Sequence, residues 1–437
     1  MKYDKAKLFI VSVLALVTAG ISAGIRSAIA SDLQATFFDP IDKARSAEMT
    51  GTALGVAFLG FAFTIMIGSP MLDYLGMGRL LTLSSFCFMI GTAVVIFAKD
   101  LAQGSAIYNV VWAGMLITGI GWGLVETVIN PLTVTLYPED KTSRLNILHA
   151  WWPGGLIIGG LLALGLGQLD LSWKVKYAMV FVPAIITAVL CLSTKFPPTE
   201  RVAAGLPASV MFKEVSRPFF LVWFCAMFLT AASELAPGQW VDLALTRTVG
   251  MRGIWLLIYV SGLMFVMRHF AGTLVHKLSP AGLLWFSALL ASVGLFLLSI
   301  ANSPITGLLA ATVWGTGVCY MWPTMLAAAS ERFPRGGALL MGLMGTAGMG
   351  SIYFVLPKLG SIFDTTKIEA AGGKEAFDKL TGPALEQVQI QAAQASFRAV
   401  SLLPLILLVV FGAIWLYDRS RGGYKAETIA ASTASGD

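Results

Sequence analysis

The chain has 437 residues, 57% of them hydrophobic and only 12% charged, with a formal charge of +6 and a mean hydropathy of +0.77. Soluble domains carry about 25% charged residues, so the composition excludes a soluble globular protein and predicts an all-α, multi-pass membrane protein. The positive balance reads as Lys and Arg marking cytoplasmic loops, and no nucleic-acid partner is expected. Cys87, Cys191, Cys225 and Cys319 all fall inside apolar runs, which predicts buried thiols without a disulfide framework or a metal site. Zinc-protease and phosphate-loop motifs are absent, and neither an enzyme nor a cofactor is expected.

A membrane span needs about 20 apolar residues. Twelve such stretches follow along the chain, at 8–30, 50–72, 80–98, 107–136, 147–169, 177–194, 218–240, 253–275, 281–300, 305–330, 337–357 and 398–417. The first follows Lys2, Lys5 and Lys7 and is longer than the roughly 7–15 apolar residues of a cleaved leader, so it is expected to stay as a span. The polar stretch 196–217 divides the chain into 1–195 and 218–437, six spans each. Residues 361–396 form the longest outer loop, read as a surface cap, and the basic loops put both termini in the cytoplasm. Two internal echoes support duplicated halves. Gly119-x-Gly121 in the fourth span is matched by Gly315-x-Gly317 in the tenth, which sets Trp322 opposite Glu126.

Glu126 stands out within the apolar run from Gly119 to Pro131. An acidic side chain at a bilayer centre costs roughly 3 kcal/mol on insertion scales and normally faces a partner or a wet path. It lies 11 residues before Tyr137, or about 16 Å along a helix, near the middle of a core about 30 Å thick. Asn130 is one turn away on the same face. Glu234 is the second intramembrane acid, ahead of a Pro237-Gly238 break in the seventh span.

Asp73, Gly76 and Arg79 after the second span, with six spans on either side of a central loop, resemble the major facilitator superfamily. Its signature reads G-x-L-x-D-x-x-G-x-x-[RK]; here Ser69 and Met71 stand at the leading positions. A sharper resemblance covers about 30 residues: Glu-Thr-Val-Ile-Asn-Pro at 126–131, Tyr137-Pro138-Glu139 and Arg144-Leu145-Asn146 look like the fucose–proton symporter family. That resemblance implies a major facilitator fold of about 12 helices in two six-helix bundles. It also implies a proton-handling role for Glu126. The family's Gln and second Asn in the fifth span fall on His149 and Trp152, and Arg26-Ser27 lies near the place of its Asn-Asp pair.

These readings together predict an inner-membrane secondary transporter. It would move a small polar solute, most plausibly a sugar, with protons, as a monomer. Glu126 and Glu234 are the proton-coupling candidates. Asn130, Trp122, His149, Trp152, Gln239 and Trp322 are the substrate-binding ones, because sugar faces stack on rings and sugar hydroxyls need polar partners. Arg26, Glu234, Asp73, Arg79 and Arg268 are expected to gate, with an Arg26–Glu234 ion pair closing the outer side. An organic-anion or drug carrier holding its ligand on Arg26 or Arg268 stays open as an alternative, as does a non-transporting sensor on the same fold.

Overall fold

The computed structural model describes residues 3–42, 46–249, 253–427 and 429. Among them the chain is helical, and eleven helices are long and apolar enough to cross a membrane. They include α1 (Lys5–Ala28), α2 (Ser46–Leu75), α3 (Met77–Ile96), α4 (Ala106–Leu136) and α5 (Lys141–Gln168), with α6 (Trp173–Leu192) completing the first half. The second half holds α7 (Pro218–Thr248), α8 (Gly253–His269), α9 (Ala271–Leu298), α10 (Pro304–Val318), α11 (Met321–Arg332), α12 (Gly337–Ala370) and α13 (Gly382–Ser420). In α8, 17 residues are helical, while α10 and α11 are the two halves of one broken span. In lipid every backbone group must be satisfied within the protein, which is why the spanning elements are helices and why a break in one needs partners.

The chain separates into two compact units. One comprises the chain through Phe220 together with Ala329–Thr346 and Glu427; the other comprises Leu221–Ala328 and Ala347–Ala426. Within the first, α1 packs along α5, and α4 packs along both α2 and α3. Small residues permit the approach: a methyl group on Gly155 would lie 2.8 Å from the Val17 carbonyl, and one on Gly20 2.7 Å from the Trp152 carbonyl. Between α2 and α3 the chain turns at Gly76 with φ of +83°, a conformation that glycine adopts without strain.

Two segments differ from the sequence-based expectation. The stretch 361–396, expected as a capping loop, is largely helix, because α12 runs on to Ala370 and α13 starts at Gly382. Its Ala, Gln, Glu and Leu content favours helix even outside an apolar stripe. The eighth span, expected to run to 275, ends at His269, and α9 bends at Ser279, where φ is +65° ahead of Pro280. Proline disfavours helical geometry in the residue before it.

Candidate functional site

In the first unit Glu126 and Asn130 occupy successive turns of α4, buried against α5. The Asn130 side-chain amide donates to Glu126 Oε2 at 2.7 Å. Asn130 Oδ1 lies 2.8 Å from His149 Nε2 on α5. With the NH2 of Asn130 given to the carboxylate, its oxygen is the acceptor, so His149 Nε2 carries the proton in this contact. His149 Nε2 is also 3.9 Å from Glu126 Oε2. Carboxylate, amide and imidazole thus form one buried polar chain linking two helices. One turn from Glu126, Trp122 stacks on Trp152 with ring centroids 4.5 Å apart and planes 5° from parallel. The Trp122 indole N–H is buried and meets no acceptor among the described residues.

Arg26, near the end of α1, is held within the first unit. Its Nε donates to the Ser22 carbonyl at 3.3 Å and its Nη1 to Thr118 Oγ1 at 3.2 Å. Glu234, in the second unit, pairs with Arg268: Arg268 Nη2 donates to Glu234 Oε1 at 2.9 Å. Each residue thus has its partners within its own unit: Ser22 and Thr118 for Arg26, and Arg268 for Glu234.

The Glu234–Arg268 pair is inserted into the break between α10 and α11. Glu234 Oε2 accepts from the backbone N–H of Trp322, at the start of α11, at 3.2 Å. Arg268 Nε donates to the carbonyl of Cys319, just past the end of α10, at 2.5 Å. The anion caps the positive end of one half-helix and the cation caps the negative end of the other, as the helix dipole favours. Two further bonds close the same place: Trp314 Nε1 donates to the Ser233 carbonyl at 3.3 Å, and the Tyr320 hydroxyl donates to the Met267 carbonyl at 3.2 Å. The Trp322 ring lies over Gly348, where any side chain would collide with it. Gln239 has its side chain outside the described residues.

A third cluster lies at the end of α2 that carries the turn at Gly76. Asp73 pairs with Arg201, and its other oxygen accepts from Thr199 Oγ1 at 2.6 Å. Thr199 caps the one-turn helix Glu200–Ala203. Glu200 accepts from Lys141 Nζ at 2.8 Å, and its backbone N–H donates to Thr135 Oγ1 at 3.2 Å. At the start of α5, Thr142 donates to Glu331 of α11 at 2.7 Å. Arg79, the other basic residue of the motif, instead lines an open groove of about 500 Å³ with Thr82, Phe86, Cys191 and Thr194.

The sequence profile of the Major Facilitator Superfamily matches residues 8–356. The chain belongs to the Major Facilitator Superfamily. It is accordingly a multi-pass membrane transporter and not an enzyme. Among solved facilitators, the Escherichia coli fucose:proton symporter superposes with a TM-score of 0.69 at 17% identity, over 92% of this chain and 98% of that one. The proton:xylose symporter gives 0.71 at 15%, over 93% and 94%. The human organic anion transporter of this superfamily gives 0.70 at 15%, over 94% and 100%. At these identities the likeness concerns the fold. In sequence, the Arabidopsis thaliana monosaccharide-sensing protein 2 is 23% identical over 141 residues, which are 32% of this chain and 18% of that protein. Myo-inositol transporter 1 of Candida albicans is 26% identical over 138 residues, 30% of this chain and 23% of its own length. The chain thus matches less than a quarter of the length of either relative.

Sequence reasoning missed the facilitator's linker residues Thr199, Glu200 and Arg201. Their one signal is a Ser/Thr-type cap following two prolines, Pro197-Pro198-Thr199, which marks a helix start but not its partners.

Proposed function

We propose that the protein is a proton-coupled transporter of a sugar or sugar-like polyol, working by alternating access, with Glu126 as the proton carrier. The observation that carries this reading is the buried Glu126–Asn130–His149 chain beside the stacked Trp122 and Trp152. A carboxylate at mid-span can take a proton without leaving an unpaired charge in lipid. Protonation turns Glu126 from an acceptor-only group into a donor and weakens its charge-assisted bond from Asn130. The α4–α5 connection through His149 then changes, and the balance of inward- and outward-facing states shifts with it. The exposed part of the Trp152 ring offers a sugar an apolar face, and the Trp122 N–H offers a hydroxyl a donor. The names of the relatives, a monosaccharide sensor, an inositol transporter and two sugar:proton symporters, support the same substrate class.

On this reading the chain sits in the cell membrane as a monomer with both termini in the cytoplasm, which the basic residues Lys2, Lys5, Lys7, Arg419, Arg421 and Lys425 favour. The polar cluster around Asp73, Arg201 and Glu331 then lies on the cytoplasmic side and closes it as a gate. Glu126→Gln in proteoliposomes is expected to abolish uptake driven by a pH gradient while counterflow exchange persists. Normal gradient-driven accumulation by that variant would overturn the assignment.

A further inference from the structure

Arg26 is 92% buried, as its exposure is 8%, and its two acceptors are both neutral: a carbonyl of its own helix and the Thr118 hydroxyl. Thr118 passes its own proton to the Met115 carbonyl at 2.7 Å. A guanidinium has five N–H donors, and a buried cation is normally matched by a carboxylate. Among the described residues no carboxylate comes within ion-pair distance of Arg26. The surrounding groups are donors as well. The hydroxyl of Ser22, one turn before Arg26 on α1, is fully buried and bonds to nothing among the described residues, and that of Thr92 on α3, also fully buried, faces at most the Tyr177 hydroxyl. Tyr177 of α6, also fully buried, faces Arg26, Thr92 and Thr118. Four helices therefore converge on a cluster that is cationic, rich in O–H and N–H, and without an anionic acceptor among the described residues.

We propose that this cluster is a binding site for one small monovalent anion, a halide ion or a single carboxylate group, held by Arg26 with the hydroxyls of Ser22, Thr92 and Thr118. The occupant is small because the donors come from four packed helices, and monovalent because a single cation faces it. Such an anion would neutralise the guanidinium, engage the Ser22 and Thr92 hydroxyls and tie α1 to α3 and α4. The inference stands apart from the proton-carrying role of Glu126.

The test uses the purified full-length chain in detergent, with thermal unfolding followed by tryptophan fluorescence. Sodium chloride or bromide is titrated at constant ionic strength against the bulky sulfonate HEPES. The wild type should show a saturable rise in midpoint with chloride and bromide, and Arg26→Met should show none. If Arg26→Met does not fold, Ser22→Ala/Thr92→Val keeps the cation and should need several-fold more halide for the same rise. A second arm compares galactose with galacturonate. A shift with the acid alone, competed by chloride, identifies the anion as a carboxylate of the solute. A shift with halide alone identifies a resident ion. Identical wild-type midpoints in chloride, bromide and galacturonate would overturn the proposal, as would an undiminished halide response in Arg26→Met or in the hydroxyl double variant.

Discussion

The ion pair set into the broken tenth span can be tested by taking it apart one charge at a time. Glu234 and Arg268 are both buried, and each also caps a backbone group at the break. Arg268→Met strands the carboxylate without its counter-charge, and removing one member of a buried pair costs roughly 3–5 kcal/mol. Glu234→Gln strands the guanidinium instead and should cost a similar amount. The double variant Glu234→Gln/Arg268→Met buries no charge, and its Gln side-chain oxygen can still accept from the Trp322 N–H. Neutral replacements of whole buried pairs are often near neutral in stability, so the double variant should lie within about 1 kcal/mol of the wild type. Equilibrium unfolding of the purified chain, with a double-mutant cycle, reads these differences directly. Losses that simply add in the double variant, to within about 0.5 kcal/mol, would refute the clasp. Transport should stay impaired in the double variant even where stability returns, because the break no longer carries opposite charges at its two ends.

Asp73→Asn removes the charge facing Arg201 and should destabilise the first unit by roughly 3 kcal/mol, with faster proteolysis in the 196–217 linker; unchanged digestion would count against the linker as a latch. Gly155→Val places a branched side chain against the Val17 carbonyl and should sharply lower the yield of folded protein, whereas Gly160→Val, which meets nothing within 4 Å, should express normally. Equal yields of the two would contradict the close α1–α5 packing.

Much of the site was legible where partners lie on one helix or where chemistry is scarce. Glu126 and Asn130 are four residues apart, so their contact follows from helix geometry alone. His149 was a candidate because it stands where the resembled family has its Gln and can partner a hydroxyl, and the structure brings it to Asn130. Trp122 and Trp152 were named for their chemistry, yet their stacking depends on how α4 and α5 are rotated. Arg268 was expected to gate, but only tertiary structure pairs it with Glu234, since the two are 34 residues apart on different helices. Arg201 lies in the polar stretch 196–217, and its pairing with Asp73 arises from a one-turn helix too short to leave a periodic pattern.

Hydropathy and charge, summed residue by residue, determined the membrane class, the order of the apolar helices and the place of Glu126 along its own. Those quantities run along the chain, where a helix advances a constant 1.5 Å per residue. Tertiary structure decided who meets whom: Glu234 with Arg268, Asp73 with Arg201, and Arg26 with the Thr118 hydroxyl. Each residue turns the helix by about 100°, so partner choice rests on rotation and packing between helices, which a linear pattern of apolar residues does not record.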